Sequence, residues 1–139
     1  MVERLVSYSQ TDLADLDMLM HELSTYSFCN ENLMNDALND SNVHIYVIRD
    51  EDHIVATGTL CMKHTLEFAI ADIESVVVSS QCRGKGYGKA LMQHMIDVAK
   101  NMGIHHIQLT SNPKRVAANK LYQDMGFVKY ETNCYKMML

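Results

Sequence analysis

A segment near the middle of the chain combines glycines with basic residues: SSQCRGKGYGKALM, residues 79–92. Its glycines are Gly84, Gly86 and Gly88, and the cations around them are Arg83, Lys85 and Lys89. Because glycine has no Cβ, successive backbone N–H groups can approach an anion at the start of a helix, where the helix dipole adds positive potential. The segment therefore predicts a phosphate-binding loop, and a diphosphate would use its donors best. The alternative is a tight strand-to-helix turn that binds no ligand.

The spacing within this loop excludes two common classes of nucleotide-binding protein. A Walker loop requires GxxxxGK[ST], but here Lys89 stands five residues after Gly84 and is followed by Ala90. A dinucleotide-binding turn requires GxGxxG, whereas this loop reads GxGxG. The loop also leaves too little chain behind it for a doubly wound sheet. ATPase and nicotinamide-dependent functions are therefore poor fits.

The elements that must position the loop follow from apolar periodicity. Strands are predicted at residues 3–8, 43–50, 53–64, 71–79, 105–111 and 127–131, with one more near the C-terminus. Helices are predicted from Thr11 to about Leu23, from Asn30 to about Leu38, from Gly88 to Met102 and from Asn112 to Gly126. This order predicts an α/β (α+β) sheet with at least one parallel crossover. Without repeats or a Gly/Ser linker, residues 1–139 are predicted to form a single domain.

Composition narrows the class of protein. The 139 residues are 47% hydrophobic and 21% charged, which is typical of one globular domain. No apolar stretch reaches the ~18 to 20 residues that cross a bilayer, and the early charges argue against a signal peptide. The four cysteines lack CxxC spacing, so we expect free thiols in a reducing cytoplasm. The sequence thus predicts a cytoplasmic protein that does not bind membranes.

Charge is divided unevenly along the chain. Residues 1–52 carry a net charge of −9, residues 83–129 carry +6, and the whole chain carries −5. The basic part suits a polyanionic ligand and the acidic part suits a cationic one, although solvated surface is the alternative for both. The acidic balance argues against general nucleic-acid binding.

The loop resembles the signature [QR]xxGx[GA] of the GNAT acyl-CoA N-acyltransferases, through Arg83-Gly84-Lys85-Gly86-Tyr87-Gly88. The resemblance continues to NKLYQDMGF at 119–127, which is similar to the family's LYxxxGF element. It covers roughly residues 71–130, while the N-terminal half agrees in element order only. It implies a mixed sheet, splayed at its middle and flanked by about four helices. Acetyl-CoA would lie in the notch, with its pyrophosphate on the N–H groups of residues 84–89.

The reaction that the resemblance implies is attack of an amine on a thioester. Deprotonating an amine with a Lys-like pKa near 10.4 costs about 4 to 5 kcal/mol at pH 7, so a base is the larger need. Asp72 and Glu74 are the candidate bases, acting directly or through water, and strand alternation puts both on one face. Glu74 also resembles a residue that serves the acceptor in glucosamine-6-phosphate N-acetyltransferases. For Asp72, an exposed acid at a strand end is the alternative.

The resemblance gives further residues roles around the thioester. Tyr122 is the candidate acid for the leaving thiolate, and a packed aromatic ring is the alternative. Asn119 would bind the pantetheine amides, and the strand end Val76–Val78 would supply a backbone donor to the oxyanion. The commoner pattern has Asn seven residues before the tyrosine, where this chain has Arg115. With Lys114, Arg115 would reach the nucleotide phosphates.

No metal site is predicted. His105 and His106 are adjacent in a predicted strand, so their side chains should face opposite sides. His44, His53 and His64 would have to meet across the predicted hairpin, and surface histidines are the simpler interpretation. We therefore expect an acetyl-CoA-dependent N-acetyltransferase acting on a small-molecule amine, with a homodimer possible. The alternatives are a non-catalytic acyl-CoA-binding module and a protein or peptide N-acetyltransferase.

Overall fold

The computed structural model describes all 139 residues and divides into two compact units, residues 1–109 and 110–139. The strands are β1 (Val2–Leu5), β2 (Val43–Asp50), β3 (His53–His64), β4 (Ala69–Val78) and β5 (His106–Gln108). The helices are α1 (Gln10–Leu23), α2 (Glu31–Asn39), α3 (Tyr87–Asn101) and α4 (Val116–Asp124). All five strands form one open sheet in sequence order, antiparallel except for the parallel pair β4 and β5. The predicted mixed α/β class and its parallel crossover are confirmed.

Helix α1 begins at a complete capping box. The Ser9 hydroxyl accepts a hydrogen bond from the Asp12 N–H, and the Asp12 carboxylate accepts one from the Ser9 N–H, each at 3.1 Å. Ser9 is therefore the N-cap, two residues before the predicted Thr11. Arg49 of β2 donates to the same carboxylate at 2.6 Å, which holds the pKa of Asp12 below its usual range. The contact between Arg49 and Asp12 therefore links the start of α1 to β2.

The two faces of the sheet are covered by different helices. Residues of α1 and α2 form one core cluster with alternate sheet residues, among them Ile45, Val47 and Val77. On the opposite face, α3 buries Leu91, Met92, Met95 and Ala99. The unit of residues 1–109 is therefore a sheet between two helical layers, and its strand ends remain accessible at the edges.

A bulge in β4 interrupts the regular alternation. Glu74 lies opposite Thr59, and Val77 lies opposite Thr57, so β4 advances three residues while β3 advances two. Ser75 absorbs the extra residue with a φ of 53°, one of only two non-glycine residues with positive φ. Asp72 and Glu74 precede the bulge and therefore share one face, as predicted.

The parallel pair β4 and β5 separates after a short contact. The paired residues are Ile70 with His106, Ala71 with Ile107 and Asp72 with Gln108. Strand β4 then continues to Val78 with no strand beside it on that side, because β5 ends at Gln108. The sheet is thus splayed from residue 73 onward. The strand predicted at 105–111 covers only His106–Gln108, and two of its three residues are exposed.

The unit of residues 110–139 contains α4 and an irregular C-terminal segment. Asn112 does not cap the helix as predicted, because its Oδ1 accepts from the Lys114 N–H at 2.9 Å in a preceding turn. Gly126 ends the helical region with a φ of 99°. The strands predicted at 127–131 and near the C-terminus are wrong, since residues 127–139 form none. None of the helices of either unit is long and apolar enough to span a bilayer.

Candidate active site

The glycine-rich loop lies between the end of β4 and the start of α3, as predicted. A short 3-10 turn, Ser80–Cys82, precedes it. Gly84 and Gly86 take φ values of 80° and 82°, and Gly86 is the residue before the first turn of α3. The first N–H groups of any helix have no hydrogen-bond acceptor within that helix. In α3 no side chain caps them either. The loop therefore presents backbone donors at a helix N-terminus.

The cations of the loop are available to an anionic ligand. Arg83, Lys85 and Lys89 are exposed, and none of them forms an ion pair with a carboxylate. The Arg83 Nε donates to the Val78 carbonyl at 3.4 Å, which links the loop to the end of β4. Three exposed cations without an ion-pair partner, next to the uncapped N-terminus of α3, are a composition that suits an anionic group such as a pyrophosphate.

Val76, Val77 and Val78 form the last part of β4, after the residues that pair with β5. The structure places them between the carboxylates and the glycine-rich loop along the chain, with Val77 buried among the α1 and α2 core residues. A splayed strand end gives an extended ligand access to the backbone, which paired strands do not. The predicted contact of Val76–Val78 with acetyl-CoA stays a prediction.

The two carboxylates differ in their surroundings. Asp72 forms an ion pair with Lys63 of β3, with its Oδ2 2.9 Å from Nζ. Glu74 has no such partner, and its pKa is raised by partial burial first and by the neighbouring charge of Asp72 second, while Lys63 opposes the shift. A carboxylate with a raised pKa is better matched to taking a proton near neutral pH. Of the two candidates, Glu74 therefore has the pKa shift that suits a base, and the assignment of the base stays a prediction.

Sequence reasoning missed two residues that act on these carboxylates. Lys63 and Cys61 lie on β3, and Cys61 is opposite Asp72 in the strand register. Burial raises the pKa of the Cys61 thiol, and Glu74 and Asp72 raise it further, so this group stays protonated. The alternation of the 53–64 segment puts both residues on one face, but only the β3–β4 register shows which acids they meet.

A small cavity lies on the face of the sheet that α1 and α2 cover. Its volume is about 120 Å³, and it lies between α1, α2 and strands β2 to β4. Ser75, the bulge residue that follows Glu74, lines it together with Thr59, the residue opposite Glu74. The partly open cavity therefore adjoins Glu74 through the neighbour Ser75 and the cross-strand partner Thr59, and no local sequence pattern indicates it.

The remaining predicted site residues lie on α4. Asn119 donates from Nδ2 to the carbonyls of Asn112 at 2.9 Å and Arg115 at 2.8 Å, so its amide hydrogens hold the start of the helix. Tyr122 is buried, and its ring meets Phe127 edge-on with centroids 6.1 Å apart. The predicted roles of Asn119 and Tyr122 toward acetyl-CoA stay predictions.

The histidines are arranged differently from the prediction in one respect. The Nδ1 atoms of His105 and His106 lie 2.9 Å apart, whereas alternation placed them on opposite sides. Alternation fails because β5 begins at His106, so His105 lies in a bend outside the strand. His44 is buried against Tyr46, and His53 pairs with Asp15 instead of joining it. No three metal-ligating side chains come together anywhere in the structure.

Comparison with known sequences gives one family. The sequence model of the Acetyltransferase (GNAT) family matches residues 11–127. N-acetyltransferase YhdJ of Bacillus subtilis, itself uncharacterized, is 39% identical over 40% of this chain and 39% of its own length. A mycothiol acetyltransferase of Paenarthrobacter aurescens is 35% identical over 47% of this chain and 20% of its own. A glucosamine 6-phosphate N-acetyltransferase of Trypanosoma brucei brucei is 33% identical over 45% of this chain and 41% of its own. The chain thus spans less than half of each of these relatives.

Comparison with solved structures gives the fold. An aminoglycoside acetyltransferase from an uncultured soil metagenomic sample superposes with a TM-score of 0.83 at 19% identity, covering 100% of this chain and 95% of that one. Glucosamine-6-phosphate N-acetyltransferase from Arabidopsis thaliana superposes with a TM-score of 0.79 at 21% identity, covering 99% of this chain and 97% of that one. At these identities the likeness establishes a shared fold.

Proposed function

The chain belongs to the GNAT acetyltransferase family, and we propose that residues 1–139 act as one N-acetyltransferase domain, transferring an acetyl group from acetyl-CoA to a primary amine of a small molecule. The observation that supports the proposal is the glycine-rich loop, where the uncapped N-terminus of α3 and three exposed cations without an ion-pair partner follow the end of β4. In the proposal, Gly84–Lys89 hold the pyrophosphate and Arg83 adds charge.

The proposed chemistry needs a base more than an acid. The amine nitrogen forms a bond to the acetyl carbonyl carbon, the bond from that carbon to sulfur breaks, the amine loses a proton, and the thiolate gains one. Glu74 takes the proton in our proposal because it lacks an ion-pair partner and its pKa is raised. Asp72, held by Lys63, positions and tunes Glu74. The backbone of Val76–Val78 donates to the developing oxyanion.

The function is tested by mixing purified protein with acetyl-CoA and a panel of primary amines. We expect release of free coenzyme A thiol that depends on one class of amine, together with an acetylated product by mass spectrometry. Binding of acetyl-CoA by calorimetry without thiol release from any amine would leave a binding module instead of an enzyme. Acetylation of peptides in preference to every small amine would assign the protein-modifying alternative.

Tyr122 is proposed as the acid for the leaving thiolate, on the strength of the motif NKLYQDMGF. For a leaving thiol with a pKa near 8.5, protonation of the thiolate is worth about 2 kcal/mol at pH 7. Deprotonation of the amine costs about 4 to 5 kcal/mol, so the acid contributes less than the base. We expect Tyr122→Phe, which keeps the buried ring, to lower kcat by about 10- to 100-fold. Steady-state kinetics check this, with Tyr130→Phe, an exposed tyrosine, as control. Unchanged kcat would assign Tyr122 to packing alone.

The tuning of Glu74 by Asp72 predicts a shift in the pH profile. Because the charge of Asp72 raises the pKa of Glu74, Asp72→Asn should lower that pKa, and it also releases Lys63 toward Glu74. The acidic limb of kcat/KM should therefore move to lower pH, while Asp52→Asn in the exposed turn leaves it in place. If the acidic limb of the kcat/KM profile does not shift in Asp72→Asn, the ionisation of Glu74 does not determine that limb.

A further inference from the structure

The cavity beside Glu74 has a strongly apolar lining. Its apolar residues come from α1, α2 and β2: Leu16, Met20, Leu33, Met34, Ala37 and Ile45. Three hydroxyl residues also line it, Thr57, Thr59 and Ser75, and the Thr57 hydroxyl donates to the Tyr46 carbonyl at 3.0 Å, so its hydrogen is already used. None of the lining residues carries a formal charge, because the one thiol, Cys29, has a raised pKa from burial and from nearby Asp17. The lining is thus mostly apolar, with the hydroxyls of Thr59 and Ser75 as its polar groups, and it suits an apolar ligand better than a polyhydroxylated one.

The charges nearest the cavity are negative. Glu74 precedes the lining residue Ser75 and faces the lining residue Thr59 across the strands. At the other end, Asp17 accepts the Cys29 N–H at 2.9 Å. Arg49 is committed to Asp12 and Glu3, and Lys63 to Asp72. Arg4 of β1 lies opposite Tyr46, whose ring contacts His94 of α3, so it belongs to the other face of the sheet. The surroundings therefore favour a cation and offer no partner to a phosphate.

We propose that the acceptor is a primary amine on a compact apolar body of about six carbon atoms, with the body in this cavity and the nitrogen toward Glu74. The size follows from the volume of about 120 Å³, since an apolar cavity of about 150 Å³ holds a benzene molecule. This inference rests on the proposed acetyltransferase function and names its substrate class. It separates the chain from relatives whose names specify a sugar phosphate, because such an acceptor would leave its hydroxyls and phosphate unsatisfied here.

A homologous series of amines tests the size and polarity of the acceptor. With acetyl-CoA saturating, kcat/KM should rise about fourfold per methylene from propylamine to hexylamine, the equivalent of about 0.8 kcal/mol per buried CH₂. It should fall again for octylamine and longer chains, which exceed the cavity. Benzylamine should be a good substrate, and glucosamine and glucosamine 6-phosphate poor ones. Direct calorimetric titration of hexylamine and glucosamine into the protein gives the same ranking without turnover.

A filled cavity provides the matched variant. Ala37 lines the cavity from α2, so Ala37→Leu should lower kcat/KM for hexylamine at least tenfold while leaving acetyl-CoA affinity unchanged. Ala14→Leu makes the same change at an exposed position of α1 and should keep full activity. Thermal unfolding shows whether Ala37→Leu still folds. If it does not, Ala37→Val, which fills less of the cavity, should lower kcat/KM by an intermediate amount.

The outcomes separate this inference from the proposed function. If the protein acetylates glucosamine in preference to hexylamine, or if Ala37→Leu leaves the rate unchanged, the inference is overturned while the proposed acetyltransferase function stands. Hexylamine binding that Ala37→Leu abolishes supports the cavity, even if no thiol is released and the proposed enzymatic function fails. Absence of both hexylamine binding and hexylamine turnover overturns the inference whether or not acetyl-CoA binds.

Discussion

In the Glu74→Gln variant we expect kcat/KM for the true acceptor to fall by about 10²- to 10⁴-fold, the usual contribution of a general base. The amide keeps the shape of the side chain but cannot take a proton. Because the pKa of Glu74 is raised by burial and by Asp72, neutralising it should not cost stability, and removal of a partly desolvated charge can add some. The defect should therefore be kinetic, measured by steady-state rates at neutral pH with the unfolding midpoint recorded in parallel.

The pH dependence of this variant provides the discriminating measurement. Raising the pH delivers more amine in its neutral form, so the defect of Glu74→Gln should narrow as the pH rises toward the pKa of the amine. Glu67→Gln, an exposed glutamate in the turn before β4, is the matched control and should behave as the parent protein. Full kcat/KM in Glu74→Gln and also in a double variant with Asp72→Asn would remove both carboxylates from proton transfer.

A second large effect is expected from Gly86→Val, which should weaken acetyl-CoA binding at least 100-fold, or about 2.7 kcal/mol. Gly86 has a φ of 82°, which a β-branched residue adopts only under strain of about 1 to 3 kcal/mol. No atom lies within 4 Å of a Cβ built there, so the added side chain occupies the open space in front of the loop. It would both distort the N–H donors and obstruct the pyrophosphate. Calorimetry with acetyl-CoA measures the loss.

The control for backbone strain is Gly103→Val. Gly103, at the other end of α3, also has a positive φ of 73° and open space around its missing Cβ. The two substitutions should destabilise the fold by similar amounts, but only Gly86→Val should weaken acetyl-CoA binding. Equal affinities in the two folded variants would contradict the role of the loop in phosphate binding.

Most of the secondary structure was predictable because its causes are local. The hairpin of β2 and β3 follows alternating residues around the polar turn at 50–52, and α2 begins after Asn30, whose Oδ1 accepts the Leu33 N–H at 2.9 Å. The C-terminal segment is the exception. Residues 127–131 have the composition of a strand, but a strand needs a neighbour to complete its hydrogen bonds, and composition cannot supply one.

The position and conformation of the glycine-rich loop were predictable from the sequence, whereas the different surroundings of the two carboxylates were decided only by tertiary structure. The loop depends on a continuous segment in which glycine permits positive φ and neighbouring cations supply charge, so every cause lies within ten residues. Glu74 differs from Asp72 because β3 brings Lys63 into an ion pair with Asp72, and because packing partly desolvates Glu74. The bulge at Ser75 and the cavity beside it likewise need β3, α1 and α2 in place. Contacts between distant segments are set by register and packing, which local spacing leaves open.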